Sequence, residues 1–152
     1  MNRIMICAQD REKPKWAAAA AAFCKKVLRK LSLDNYELSV VLCSNGFIRD
    51  LNKRFRSKDE ATDILSFSQV EGGCFPCAGE GAHVIGDMVI SLDMLEETGR
   101  KFSVSEEEEL KRLLIHGVLH LAGQDHAGSD PRDPMLMRQE EILQELSEEK
   151  IF

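Results

Sequence analysis

SEEEELKRLLIHGVLHLAG, residues 105–123, carries its own start and stop signals. Ser105, with Glu108 three residues on, forms a capping box that opens a helix, and Gly123 supplies the left-handed turn that ends it near Ala122. In the second half Leu113, Leu114, Ile115, Val118, Leu119 and Leu121 leave no polar face except His116 and His120. That is the pattern of a helix buried on all sides. Such a helix needs other elements around it, and the rest of the chain reads as its enclosure.

Ile4–Cys7, inside Met1–Asp10, reads as a strand, and Lys15–Leu31 as a helix built on Trp16, the alanine run 17–22, Phe23, Val27 and Leu28. Tyr36–Cys43 (YELSVVLC) is a second strand, closed by the turn Ser44-Asn45-Gly46. Phe47, Ile48, Leu51 and Phe55 then recur at helical spacing with Arg49, Asp50, Lys53 and Arg54 between them, an amphipathic helix. Ile64–Phe67 and Met88–Ser91 read as the third and fourth strands, separated by a loop over Gln69–His83. Asp93–Arg100 is expected to form a short helix stopped at Gly99. Asp133-Pro134 caps and opens a last helix through Leu136, Ile142, Leu143 and Leu146, and the charged end, 143–152, is expected to fray. The sum is a single α/β (α+β) domain over residues 1–152, a small mixed four-stranded sheet packed around the central helix.

With 43% hydrophobic residues in 152, the chain has material for one real core. No apolar run approaches the roughly 18–20 residues that cross a bilayer, and Met1–Asp10 lacks the basic start and cleavage site of a signal peptide. A soluble cytoplasmic protein with no membrane partner is therefore expected. The charge sum, 20 − 26 = −6, argues against coating nucleic acid through bulk electrostatics, so any such contact must be local. Five cysteines at irregular spacing read as reduced thiols, with Cys7, Cys24 and Cys43 as buried small hydrophobes.

Three of the four histidines fall in His116-Gly117-Val118-Leu119-His120-Leu121-Ala122-Gly123-Gln124-Asp125-His126. Residues four apart differ by about 40° around a helix, so His116 and His120 project from one face and can share an ion. A sharp turn at Gly123 brings His126 back towards the same point as a third imidazole. Three protein ligands with a fourth position open is the arrangement of catalytic zinc. The bland alternative is a pair of hydrogen-bonded core histidines beside an unrelated loop residue. Imidazole-only ligation also accepts copper, nickel or cobalt, so zinc rests on availability and open tetrahedral geometry. The spacing is zincin-like, matching His-Glu-x-x-His-x-x-Gly-x-x-His at every fixed position except one, where Gly117 replaces the glutamate that serves peptidases as general base. Hydrolysis of a peptide or small amide is disfavoured on that ground.

Taken with two further blocks, the histidine stretch resembles the YbeY family of metal-dependent endoribonucleases, which mature ribosomal RNA. HGVLHLAGQDH is similar to its histidine signature. Leu51-Asn52, Phe55-Arg56, Lys58-Asp59 and Thr62-Asp63-Ile64-Leu65-Ser66-Phe67 are similar to a second block, and Gly86-Asp87-Met88-Val89-Ile90-Ser91 to its Gly-Asp strand. Met137 and Glu141 sit where that family's last helix carries a similar pair, so the likeness runs from about Asn52 to Leu143. The resemblance implies one zinc ion per chain on His116, His120 and His126. It also implies single-stranded RNA as substrate, and Arg56 and the ligand His116 as catalytic residues.

An arginine fork beside a metal suits phosphate and the extra charge of a pentacoordinate transition state. Lys53, Arg54, Arg56 and Lys58 together make the local basic patch that an acidic RNA-binding protein needs, although a charge run on a helix is also what a solvated face looks like. Asp125 either orients an imidazole from behind or caps the turn after Gly123. Asp63, Asp87 and Ser66 read as structural. Cys74-Phe75-Pro76-Cys77 departs from the family pattern, and a lone C-x-x-C is compatible with a second metal, a redox role or a plain loop. The leading expectation is a zinc-dependent endoribonuclease acting on ribosomal RNA precursors, with the small ribosomal subunit or an associated protein presenting the substrate. A ribosome-assembly factor with a purely structural metal is the alternative.

Overall fold

The structure is a computed structural model that describes residues 1–68, 83–123 and 133–152. Among these the elements run β1 (Arg3–Gln9), α1 (Ala17–Lys30), β2 (Tyr36–Cys43), α2 (Asn45–Arg56), β3 (Ile64–Ser68), β4 (His83–Ser91), α3 (Leu92–Phe102), α4 (Glu106–Leu121) and α5 (Pro134–Glu145). The strands form one mixed sheet in the order β1-β2-β4-β3, with β1, β2 and β4 parallel and β3 antiparallel to β4. This is the α/β architecture expected from the sequence.

Strand alternation divides the core in two. Leu38, Val40 and Leu42 of β2 and Met88 and Ile90 of β4 point to the face covered by α1, α4 and α5, while Val41, Cys43, Leu65, Val89 and Phe67 point to the face covered by α2. Helix α4 lies inside the larger cluster, with Leu110, Leu113, Leu114, Ile115, Val118, Leu119 and Leu121 all buried. Its start is set as expected, since the Ser105 side chain accepts from the Glu108 N–H at 3.2 Å. At its end Gly123 takes a positive φ of 97° and its N–H reaches the His120 carbonyl at 3.0 Å. Gly86, at φ 146°, sits at the irregularity of the β2–β4 ladder. A Cβ there would come within 2.4 Å of the Phe67 carbonyl and 2.8 Å of Leu121 Cδ2, so the bare backbone is what lets β4 lie against both β3 and α4.

Four expectations are corrected. Strand β4 runs His83–Ser91, so it starts five residues before the Met88 at which the sequence placed it. Helix α3 runs through Gly99 to Phe102 and is closed by Ser103 in the left-handed region. Gly99 is buried where a Cβ would come within 2.9 Å of Glu106 Cγ, so it serves close packing against the start of α4 rather than a stop. Cys24 and Cys43 are buried, and burial pushes both thiols up to about 12, but Cys7 is exposed because β1 is an edge strand whose second face no helix of the described residues covers. The chain end does not fray. Leu146 and Ile151 are buried, Phe152 stacks on Trp16 with ring centroids 5.1 Å apart, and Glu149 pairs with Lys26.

The Ile151 and Phe152 N–H groups both donate to Glu107 Oε2 at 2.8 Å, while the buried Lys111 extends its Nζ to the Ser147 carbonyl at 3.4 Å. Hydrogen bonds from Phe152 and then Ile151 hold the Glu107 carboxyl below its ordinary value of 4.5. A carboxylate lowered in the folded state contributes stability that is complete above the unfolded value and is lost as pH falls through the folded one. The native chain should therefore be more stable than Glu107→Gln at neutral pH, with the gap closing below about pH 4.5. Urea unfolding at a series of pH values, read by fluorescence of the single tryptophan, Trp16, checks this. A gap that stayed constant would mean that the Glu107 charge does not hold the tail.

Candidate metal centre and basic face

Helix α4 carries the histidine pair as the four-residue spacing requires. The His116 and His120 rings lie with centroids 4.8 Å apart and planes at 68°, both half-buried near the helix's C-terminal end. His116 is oriented from behind by α5. Its Nδ1–H donates to Gln139 Oε1 at 2.6 Å, because an amide oxygen only accepts, and this fixes the tautomer with the lone pair on Nε2. A ring held through one nitrogen by a fixed acceptor is the usual support of a metal-ligating histidine. The donor set on α4 thus fits a divalent metal. His126 and Asp125, read as the third ligand and as an orienting or capping residue, lie outside the described residues, as do Cys74 and Cys77.

Gln139 is the site residue that sequence reasoning missed. It is 6% exposed on the stripe of α5 that also buries Met135, Ile142 and Leu143. A polar residue inside an apolar stripe is a legible sign of a buried partner. The neighbouring pair carried over by resemblance lies elsewhere: Met137 is exposed, and Glu141 pairs with Arg138 at 3.0 Å.

Position 117 explains the missing glutamate. A Cβ on Gly117 would fall 2.0 Å from Sδ of the fully buried Met88 and 3.1 Å from Ile64 Cδ1. In this fold residue 117 faces the sheet, and a carboxylate there would be both overpacked and unpaired.

The basic residues gather at the end of α2. Ser44 caps that helix by accepting from the Phe47 N–H at 3.2 Å, and Ser57 ends it at φ 58°. The buried Asn52 donates Nδ2–H to the Glu60 carbonyl at 2.9 Å, and Arg49 pairs with Asp59 at 2.8 Å, so the turn after the helix is anchored twice. That hydrogen bond from Arg49 holds the Asp59 carboxyl below the usual carboxylate range. Lys53, Arg54, Arg56 and Lys58 are all exposed. Arg54 meets Asp50 at 3.6 Å, whereas Lys53, Arg56 and Lys58 have no carboxylate within ion-pair distance among the described residues. Arg56 turns back onto β3, where its Nη2–H donates to the Ser66 carbonyl at 3.0 Å.

Strand β3 links the basic face to the histidine helix. Ser66 is the register partner of Met88, the residue that fills the space at Gly117, and Ile64 packs against the same glycine. Asp63 precedes β3 and Asp87 lies within β4. The Asp63 carbonyl accepts from the Ser91 N–H at 3.0 Å, and Asp87, the partner of Phe67, alternates to the sheet face opposite Met88. No described helix is long and apolar enough to cross a membrane.

The chain is similar to known proteins over most of its length. The model of the family described as Endoribonuclease YbeY matches residues 5–147. The Endoribonuclease YbeY of Treponema denticola is 44% identical over 130 residues, 86% of this chain and 83% of that protein. The Endoribonuclease YbeY of Treponema pallidum is 38% identical over 143 residues, 94% of this chain and 89% of that protein. A solution structure of a Thermotoga maritima protein superposes with a TM-score of 0.64 at 28% identity, covering 96% of this chain and 89% of that one. The blocks around Arg56, Gly86 and His116 thus sit in a match that spans nearly the whole chain, and the chain belongs to the YbeY family of endoribonucleases.

Proposed function

We propose that this chain, acting as one metallohydrolase domain over residues 1–152, is a zinc-dependent endoribonuclease that cuts single-stranded RNA within ribosomal precursors in the cytoplasm. The observation that carries the reading is the His116–Gln139 hydrogen bond at 2.6 Å, which supports one imidazole of the pair as metal ligands are supported. His116, His120 and, by its spacing, His126 would hold one ion. When bound, such an ion supplies Lewis acidity towards water and the phosphoryl oxygens. Gln139 keeps His116 in the tautomer that can coordinate.

Arg56 uses one of its five N–H donors on the Ser66 carbonyl and keeps the others to hold a phosphodiester and to stabilise the charge that builds at phosphorus. Lys53, Arg54 and Lys58 contact the flanking phosphates. A patch this small on a chain of net charge −6 gives the free protein only modest RNA affinity, so the small ribosomal subunit or a protein on it presents the substrate. With Gly117 pressed against Met88, no side chain at that position serves as the base of a peptidase.

Cleavage of a labelled single-stranded RNA by the purified protein is expected, and should be lost in His120→Ala prepared identically. Chelation should abolish cleavage while the circular dichroism spectrum persists; loss of the fold on chelation would instead favour a structural metal. Arg56→Lys keeps the charge but not the fork and should reduce kcat by about a hundredfold. At the metal itself, Gln139→Leu should weaken zinc affinity by about 10–100-fold, and Gln139→Glu, which retains an acceptor, should restore most of it. Competition with a zinc indicator measures both, and equal affinities in all three proteins would remove Gln139 from the site.

A further inference from the structure

The apolar stripe of α2 overshoots the core. Ile48 is fully buried and Leu51 half-buried, but Phe55, one turn further on, leaves 61% of its surface in solvent. Burying a phenylalanine is favourable, yet this ring, at the end of a basic helix, keeps most of its surface open to a partner. What surrounds it is specific. The Phe55 ring meets Phe67 edge to face, with centroids 5.5 Å apart and planes at 70°. The Arg54 guanidinium carbon lies 5.7 Å from the Phe55 centroid, and that of Arg56 lies 5.9 Å from the Phe67 centroid. Two aromatic rings and two guanidinium planes thus form one cluster, with Lys53 and Lys58 beside it.

We infer that Phe55, braced edge-on by Phe67 and flanked by Arg54 and Arg56, is a stacking platform for an unpaired base of the RNA strand. The inference rests on the endoribonuclease reading and adds to it the group that takes hold of the base. Every nucleobase has a π face, so such a platform binds without choosing sequence. It also answers the charge problem, because stacking adds affinity that a net charge of −6 does not oppose. Duplex bases are stacked on each other and offer no face, so the platform favours single strands.

Its position is consistent with use in cleavage. β3 is an edge strand that carries Phe67 on one face and Ile64, packed against Gly117, on the other. The platform and the histidine helix therefore flank the same sheet edge, and Arg56, bonded to Ser66 of that strand and lying beside the Phe67 ring, joins the platform to it.

The test is binding at low ionic strength, read by fluorescence anisotropy, in a His120→Ala background whose folding is checked by circular dichroism. The probes are a labelled single-stranded RNA, an abasic strand of equal length and a duplex. Phe55→Leu should weaken the base-bearing strand by about tenfold and leave the abasic strand and the duplex unchanged, while Phe55→Trp should bind the base-bearing strand at least as tightly as Phe55 does. Equal weakening of base-bearing and abasic strands, or no weakening of either, overturns the stacking role. If the native protein still cuts RNA in that case, the nuclease reading stands without it. A native protein that neither binds nor cuts RNA overturns both.

Discussion

A helix buried around most of its circumference, open chiefly along the stripe of Glu108, Arg112, His116 and His120, cannot leave a polar group on its covered faces unanswered, and most of this structure follows from how α4 meets that condition. Its apolar residues fill the space between the sheet, α1 and α5. Each polar side chain in its buried half then needs a partner on another element, since an unsatisfied buried group costs about 1–3 kcal/mol. Lys111 runs past the Phe23 ring to the Ser147 carbonyl, and His116 is met by Gln139. Glu107, nearer the start, takes the last two amides of the chain. The demand of one helix therefore places α5 and fixes the C-terminal segment. The same contacts that satisfy the core orient the imidazole, so packing and site are one arrangement.

Element type and order were legible in the sequence because the signals were local. The capping box at Ser105, the Asp133-Pro134 start and the Gly123 turn each act through neighbouring backbone groups, and each appears where it was read. The histidine pair was legible for the same reason, since helical periodicity alone brings His116 and His120 together. What escaped depends on contacts between distant segments. Gly99 looks like a stop until α4 is seen pressing on it, and the charged residues near the chain end look frayed until Glu107 and Trp16 are seen to hold Ile151 and Phe152. Cys7 was misjudged because composition does not show which strand lies at an edge. Gln139 needed the knowledge that its helix faces α4, although its place within an apolar stripe was a visible sign.

The acidity of the chain and the basicity of the end of α2 are compatible because the two are kept apart. At α2 the cations occupy the last turn, where they also meet the negative end of the helix dipole. Arg49 is spent on Asp59, which shapes the turn, and Arg54 meets Asp50 of its own helix only at 3.6 Å on the exposed face, whereas Arg56 bends back to the backbone of β3. An arginine held by a carbonyl keeps its full charge; one held by a carboxylate is largely neutralised. The choice of acceptor thus separates Arg56, with charge to offer an anion, from Arg49, which holds the frame.

Gly117 shows how one residue divides two chemistries that share a histidine spacing. Residues 116 and 117 are about 100° apart around the helix, so when the histidines face outward from the end of α4, position 117 turns elsewhere. In this fold it turns into the sheet, where Met88 and Ile64 already fill the volume a side chain would take. A glutamate there would have to displace the fully buried Met88 and carry its charge into an apolar layer, so the change is opposed by packing and by desolvation together. On the proposed reading, help beyond the metal comes from outside the helix, from Arg56 of α2, whose guanidinium is held on β3 by the Ser66 carbonyl. A cation in that role suits an anionic backbone such as a phosphodiester and not a neutral amide. The space closed by Met88 and the donor held by Ser66 therefore point to the same class of substrate for independent physical reasons.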